Sequence, residues 1–174
     1  MAEVAGALAT AHAKGVAHGR LNPENVLVDR FGAVRLIGFS VDAALHGLPD
    51  GRLEHDLQDL GGLLYCALTA TWPGPSASAV PGAPHEHAAV LAPRRVRAGV
   101  PRPLDHLWSA LCRDDRSHRR PWQAHHDLDV SDAAAVRERL LEFLGDPAGM
   151  PEALAESIPR STTSGPSCSR RCPR

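Results

Sequence analysis

Residues 54–70 constrain the fold more than any other stretch of the chain. Leu57, Leu60, Leu64 and Leu68 recur near the 3.6-residue period. Between them stand Gly61 and Gly62, where the missing side chains let a neighbouring backbone come close. The segment is apolar on most sides, so it predicts a central core helix against which the other elements must pack. The chain has 174 residues, 43% of them apolar and 22% charged. That is enough for one packed core, and it excludes collagen-like, coiled-coil or wholly disordered architectures for the bulk of the chain.

The remaining elements follow from periodicity and punctuation. Over residues 2–14, Val4, Leu8 and Ala11 share a helical stripe with Ala5, Ala9 and His12, and Gly15 supplies the stop. Residues 26–28 and 33–37 flank Asp29-Arg30-Phe31-Gly32, which predicts a short β-hairpin. Residues 71–103 hold seven of the 15 prolines and read as a long surface loop with one short helix near His85–Leu91. Leu104, Leu107, Trp108 and Leu111 predict a helix over 103–112, Pro121 fits the first turn of another, and Ser131 is the expected cap of an amphipathic helix over 132–144. From Gly145, and above all over 157–174, the Pro/Ser/Thr/Arg-rich composition predicts disorder. The fold class is mainly α with a small β-hairpin.

Charge and sulfur narrow the function classes. The 19 basic and 20 acidic residues nearly cancel, so no nucleic-acid surface is advertised. Arg160, Arg170, Arg171 and Arg174 make the end basic, and the body before it carries the acidic excess. Trp72, Trp108 and Trp122 do not share an element, which argues against a base-stacking platform. No stretch reaches the ~20 apolar residues of a membrane helix and no signal peptide is visible, so the expected location is cytoplasmic. Cys66 and Cys112 read as buried free thiols, and Cys168 and Cys172 lack partner ligands for zinc. His85-Glu86-His87 and His125-His126 read as solvated histidines, because their spacing does not put two imidazoles on one helical face.

One constellation carries chemistry. His18-Gly19-Arg20-Leu21-Asn22-Pro23-Glu24-Asn25-Val26-Leu27-Val28 resembles the catalytic loop HRDLKPENVLV of eukaryotic-type serine/threonine protein kinases. The hairpin leads into Leu36-Ile37-Gly38-Phe39-Ser40, similar to the family's L-I-D-F-G. Asp56 to Tyr65 is similar to the start of the family's buried central helix, Ala70-Thr71-Trp72-Pro73 to its exit, and Asp114/Asp115 to Arg120-Pro121 to the motif before its last helix. The resemblance covers residues 1–128 and implies a kinase-like C-terminal lobe. Residues 129–156 are then an additional helical extension, and 157–174 a disordered basic tail. The Gly-rich loop, phosphate-pairing Lys and helical Glu of the family's N-terminal lobe have no counterpart in the chain.

The departures from the pattern fall on the chemistry. In a working kinase the loop Asp orients the substrate hydroxyl, the loop Lys neutralises the transferring phosphoryl group, and the D-F-G Asp holds Mg²⁺. Those positions are Arg20, Asn22 and Gly38 here. Asn25 remains as the family's second metal ligand, although a lone amide is a weak holder of a hard divalent cation. Loss of a general base alone costs ~10²–10⁴ in rate. Asp29 and Glu24 are not placed to substitute, and Asp42 is the nearest displaced carboxylate.

The packing residues of the resembled lobe are present. The resemblance implies that His18 and Phe39 join a hydrophobic column on the central helix. It further implies that Asp56 accepts hydrogen bonds from the loop backbone, that Leu27 underlies the nucleotide's adenine, and that Arg120 has lost its glutamate partner. Only 15 residues separate Ser40 from Asp56, too few for a typical activation segment. The short segment and the Arg-for-Asp loop look most like the degenerate kinase domains of actinobacterial membrane proteins linked to cell-wall synthesis.

The expectation is a catalytically inactive, pseudokinase-like module that binds or scaffolds in phosphosignalling. The alternative is a truncated form of an active ATP-dependent serine/threonine kinase. No cofactor is expected, with ATP and Mg²⁺ implied only for a longer form. The partner is a protein: the absent upper lobe or a phosphosignalling protein. It would cover apolar surface left along the hairpin and the first helix.

Overall fold

The computed structural model describes residues 1–49, 53–112, 130–146 and 148–157. It is mainly helical, with α1 (Ala2–His12), β1 (Val26–Val28), β2 (Val34–Leu36), α2 (Val41–Leu45), α3 (Leu53–Thr69), β3 (His85–Glu86), β4 (Ala89–Val90), α4 (Pro93–Val96), α5 (Arg102–Leu111), α6 (Ala133–Leu144) and α7 (Met150–Ser157).

Helix α3 is the centre, and its two glycines are where neighbours come closest. A Cβ on Gly61 would stand 3.0 Å from Leu111 Cβ of α5, and one on Gly62 would stand 3.0 Å from the Trp72 ring. The close approaches predicted from the sequence therefore bring in α5 on one side and the 72–74 segment on the other. Tyr65, fully buried on α3, stacks on Trp108 at 5.3 Å between ring centroids and donates its hydroxyl to the Leu91 carbonyl at 2.9 Å.

Helix α1 is covered, contrary to the expectation that it would offer free apolar surface. Val4 and Leu8, one turn apart, are buried in one cluster with Val136 and Leu140 of α6, also one turn apart. Gly6 allows the approach, since a Cβ there would meet Arg137 at 3.1 Å. The segment expected as an extension thus shares its core with α1.

Strands β1 and β2 pair antiparallel with Val26 opposite Leu36, Leu27 opposite Arg35 and Val28 opposite Val34. Asp29 closes the turn by accepting the Phe31 and Ala33 backbone N–H groups at 2.8 and 3.0 Å. Gly32 is required there: its φ is +81°, and a Cβ would strike the backbone of Pro151.

Three further expectations are corrected. The short helix near His85–Leu91 is a second hairpin, β3–β4, because His87 and Ala88 both take positive φ (50° and 65°) and reverse the chain in two residues. The cap of α6 is Asp132, not Ser131: its carboxylate accepts the Ala135 N–H at 2.8 Å, one residue nearer the first turn. Disorder does not begin at Gly145, since Met150–Ser157 forms α7 with a proline in its first turn. The expectations for Pro121, Arg120, Trp122, His125-His126 and the basic tail beyond Ser157 lie outside the described residues. No helix among those described is long and apolar enough to cross a membrane.

Candidate functional site

The segment resembling a kinase catalytic loop lies across the N-terminal half of α3, gripped from below by two carboxylates. Asp56, fully buried, accepts the His18 N–H on Oδ2 and the Gly19 N–H on Oδ1, both at 2.7 Å. Asp59, one turn further on, accepts the Leu21 N–H at 2.9 Å. The i, i+3 spacing puts both acids on one face of α3. Sequence reasoning assigned a role to Asp56 and missed Asp59, for which that spacing was the available signal. It also missed His12, whose Nε2 lies 2.8 Å from Asp56 Oδ2 and joins α1 to the same carboxylate.

His18 is fully buried, and its Nε2–H donates to the Ile37 carbonyl at 2.8 Å. Its ring stands 5.1 Å from that of Phe39, so these two residues do pack together above α3. Nδ1 of His18 has no hydrogen-bond partner among the described residues.

Asn22 and Asn25 lock each other. Asn22 caps the single 3₁₀ turn of residues 23–25, taking the Asn25 N–H on its side-chain oxygen at 3.2 Å, while the Asn25 side-chain oxygen takes the Asn22 N–H at 3.1 Å. Pro23 at the start of this turn suits the fixed geometry. The amide oxygen of Asn25 that a metal would need is thus already accepting a hydrogen bond.

Gly38 has a φ of +90°, a conformation that disfavours any side chain. A Cβ there would stand 2.9 Å from Asn25 Nδ2, 3.6 Å from Asp42 Cβ and 3.7 Å from His18 Nε2. The space beside Asn25 is therefore approached by Asp42 from the first turn of α2. Asp42 Oδ2 accepts Arg20 Nη1–H at 2.7 Å and the Asn22 amide N–H at 3.4 Å. Arg20, Asn22, Asn25, Gly38 and Asp42 thus converge, with Arg20 balancing the charge of Asp42.

The residues present do not fit a Mg²⁺-nucleotide site. Such a cation is held by carboxylate and other oxygen ligands, whereas the groups turned toward the Asp42 carboxylate include the guanidinium of Arg20, the amide NH₂ of Asn22 and the imidazole of His46. Among the described residues no group of three or more His, Cys, Asp or Glu side chains is placed to hold a metal. Leu27, the residue that would underlie an adenine, is 47% exposed on the outer face of the hairpin.

Glu24 turns away from this cluster. Its Oε1 accepts the Ser78 hydroxyl and the Ala79 N–H, both at 2.7 Å, and so fastens the loop to the proline-rich segment. The Ser78 hydrogen bond is the main cause holding its carboxyl below the usual glutamate range. Beside the loop opens a cleft of about 880 Å³, lined among others by Gly19, Arg20, Gln58, Asp59, Pro73 and Trp108.

The thiols differ from expectation. Cys66 is half-buried and Cys112 lies at the surface, because α5 ends there. The Cys112 sulfur nevertheless tucks against Gly61, 3.1 Å from where a Cβ would stand, and burial pushes its thiol up to about 11. His85 and Glu86 are also spent structurally: His85 Nδ1–H donates to the Ala83 carbonyl at 2.8 Å, and Glu86 pairs with Arg95 at 2.7 Å.

No family model matches the chain, and no curated protein matches it.

Proposed function

We propose that the chain is a catalytically inactive, protein-kinase-like module that binds or scaffolds a protein partner in phosphosignalling, in the manner of pseudokinases tied to cell-wall regulation. The observation that carries the reading is the pairing of an intact loop support with a dismantled reaction centre. Asp56 and Asp59 hold the loop backbone at 2.7–2.9 Å, while Arg20, Asn22 and Gly38 occupy the positions where the resembled family needs two acids and a lysine. A general base and a metal carboxylate are both missing, and each loss alone is severe.

The partner face is the outer side of the hairpin. Leu27 and Ile37 lie on it, 47% and 45% exposed, while Val26, Val34 and Leu36 on the other side pack into the core. Arg35 stands opposite Leu27 on the same side, so this face offers a partner apolar contact next to a positive charge.

Transfer of labelled phosphate from ATP, in the protein purified from its own cells, tests the reading. No transfer is expected above that of an Asn25→Ala/Asp42→Ala variant. Transfer that the double substitution abolishes would overturn the reading in favour of an active kinase that uses Asp42 as its displaced carboxylate.

A further inference from the structure

The ion pair of Arg20 and Asp42 is the most shielded Arg–carboxylate pair among the described residues, with side chains 16% and 20% exposed. It joins two segments 22 residues apart: the loop that α3 holds, and the short helix α2 that follows the positive-φ pair Gly38 and Ser40. Among the described residues, every polar contact on the Asp42 carboxylate is made by nitrogen: Arg20 Nη1 at 2.7 Å, Asn22 Nδ2 at 3.4 Å, and His46 Nδ1 at 3.5 Å from the other oxygen. His46 Nδ1 also stands 2.8 Å from the Asp42 carbonyl oxygen, which holds the ring beside its own helix. A carboxylate set among N–H donors is satisfied by a guanidinium, which presents five of them in a fixed fork. A hard divalent cation in the same place would find one carboxylate and too few free oxygens.

We propose that Arg20 is the resident cation of this space. Its guanidinium supplies the positive charge that Asp42 requires, ties the loop to α2, and makes that link independent of divalent metal. Asp42 is thus a latch carboxylate, neutralised by a charge the chain carries itself. The inference concerns the chain's own architecture and holds whether or not the hairpin face docks a partner.

The test is thermal unfolding of the full chain in MgCl₂ or MnCl₂ against NaCl at matched ionic strength, with free Mn²⁺ followed by its paramagnetic resonance signal. The wild-type midpoint is expected not to move between salts, and the Mn²⁺ signal not to be quenched. Arg20→Gln and Asp42→Asn should each lower the midpoint by about 4–8 °C, since each leaves one shielded charge unpaired. The double variant should be no worse than the poorer single one. A metal-dependent rise in the wild type that Asp42→Asn abolishes would make Asp42 a metal ligand and overturn the proposal. So would strictly additive single losses. Should Arg20→Gln fail to fold, Arg20→Lys decides: a folded, metal-insensitive Lys variant supports the resident charge, and failure of both substitutions refutes it.

Discussion

His12 Nε2 lies 2.8 Å from Asp56 Oδ2, so a carboxylate of α3 joins the last turn of α1 to the same loop backbone that it holds through His18 and Gly19. Asp56 is fully buried and its partners all point at it. Removing the acid would strand two buried N–H groups and one imidazole at once. Asp56→Ala is therefore expected to cost about 3–5 kcal/mol, and His12→Ala about 1 kcal/mol. Urea unfolding measures both. Equal midpoints for Asp56→Ala and wild type would mean that the loop is held by something else.

Glu24 gives the chain a specific pH dependence. The Ser78 hydrogen bond lowers its carboxyl pKa in the folded state, so as pH falls the unfolded chain takes up the proton first. Its contribution is fully present above the ordinary glutamate value and is lost as pH falls through the lowered folded value. Glu24 is nearly all exposed, and solvent screening keeps the effect small. Glu24→Gln keeps an oxygen facing Ser78 but cannot titrate. Its stability should fall less steeply than the wild type's across that acidic window, and parallel curves would remove Glu24 from the account.

Gly38 is predicted to resist repair. Restoring the acid that the kinase pattern has there would place a side chain on a backbone at φ +90°, with its Cβ 2.9 Å from Asn25 Nδ2. Gly38→Asp is expected to destabilise by about 1–3 kcal/mol and to restore no phosphate transfer. Gly38→Ala should lose a similar amount, because the strain belongs to the backbone and not to the charge. A Gly38→Asp protein as stable as wild type that transfers phosphate would show that the site needs only its carboxylate.

The sequence made α1, α3, α5, α6 and the first hairpin legible because their signals are local, whereas the short helices α2, α4 and α7 carry too few periodic positions to stand out. Leucines at helical spacing fixed α3 to within a residue at each end, and the glycine-containing turn after Asp29 fixed β1–β2. The second hairpin is hidden because its turn uses two non-glycine residues at positive φ, His87 and Ala88, and alanine carries no turn signal. The coverage of α1 by α6 was hidden for another reason. It joins apolar stripes more than 120 residues apart in the sequence, and periodicity says which face is apolar but not what meets it. The same limit applied to the site. The acid at Asp56 stood out through its motif, whereas His12, Asp59 and the Arg20–Asp42 pair depend on distances between elements.

The outer hairpin face is the surface on which the docking reading stands or falls. Leu27 and Ile37 remain about half exposed there, so replacing both with serine removes little buried apolar area, and the unfolding free energy should stay within about 0.5 kcal/mol of wild type. Leu8→Ala, inside the α1–α6 core, should cost about 2–5 kcal/mol and serves as the contrast. If the face seeks a partner, the wild-type chain should bind an apolar fluorescent dye and self-associate as concentration rises, and the Leu27→Ser/Ile37→Ser protein should do both measurably less. Leu8→Ala separates this from general loosening, since a destabilised core raises dye binding whereas a polar hairpin lowers it. A wild-type monomer with no dye signal, or a double variant indistinguishable from it, would remove the hairpin as the docking surface and leave the loop chemistry as the sole support for the kinase-like reading.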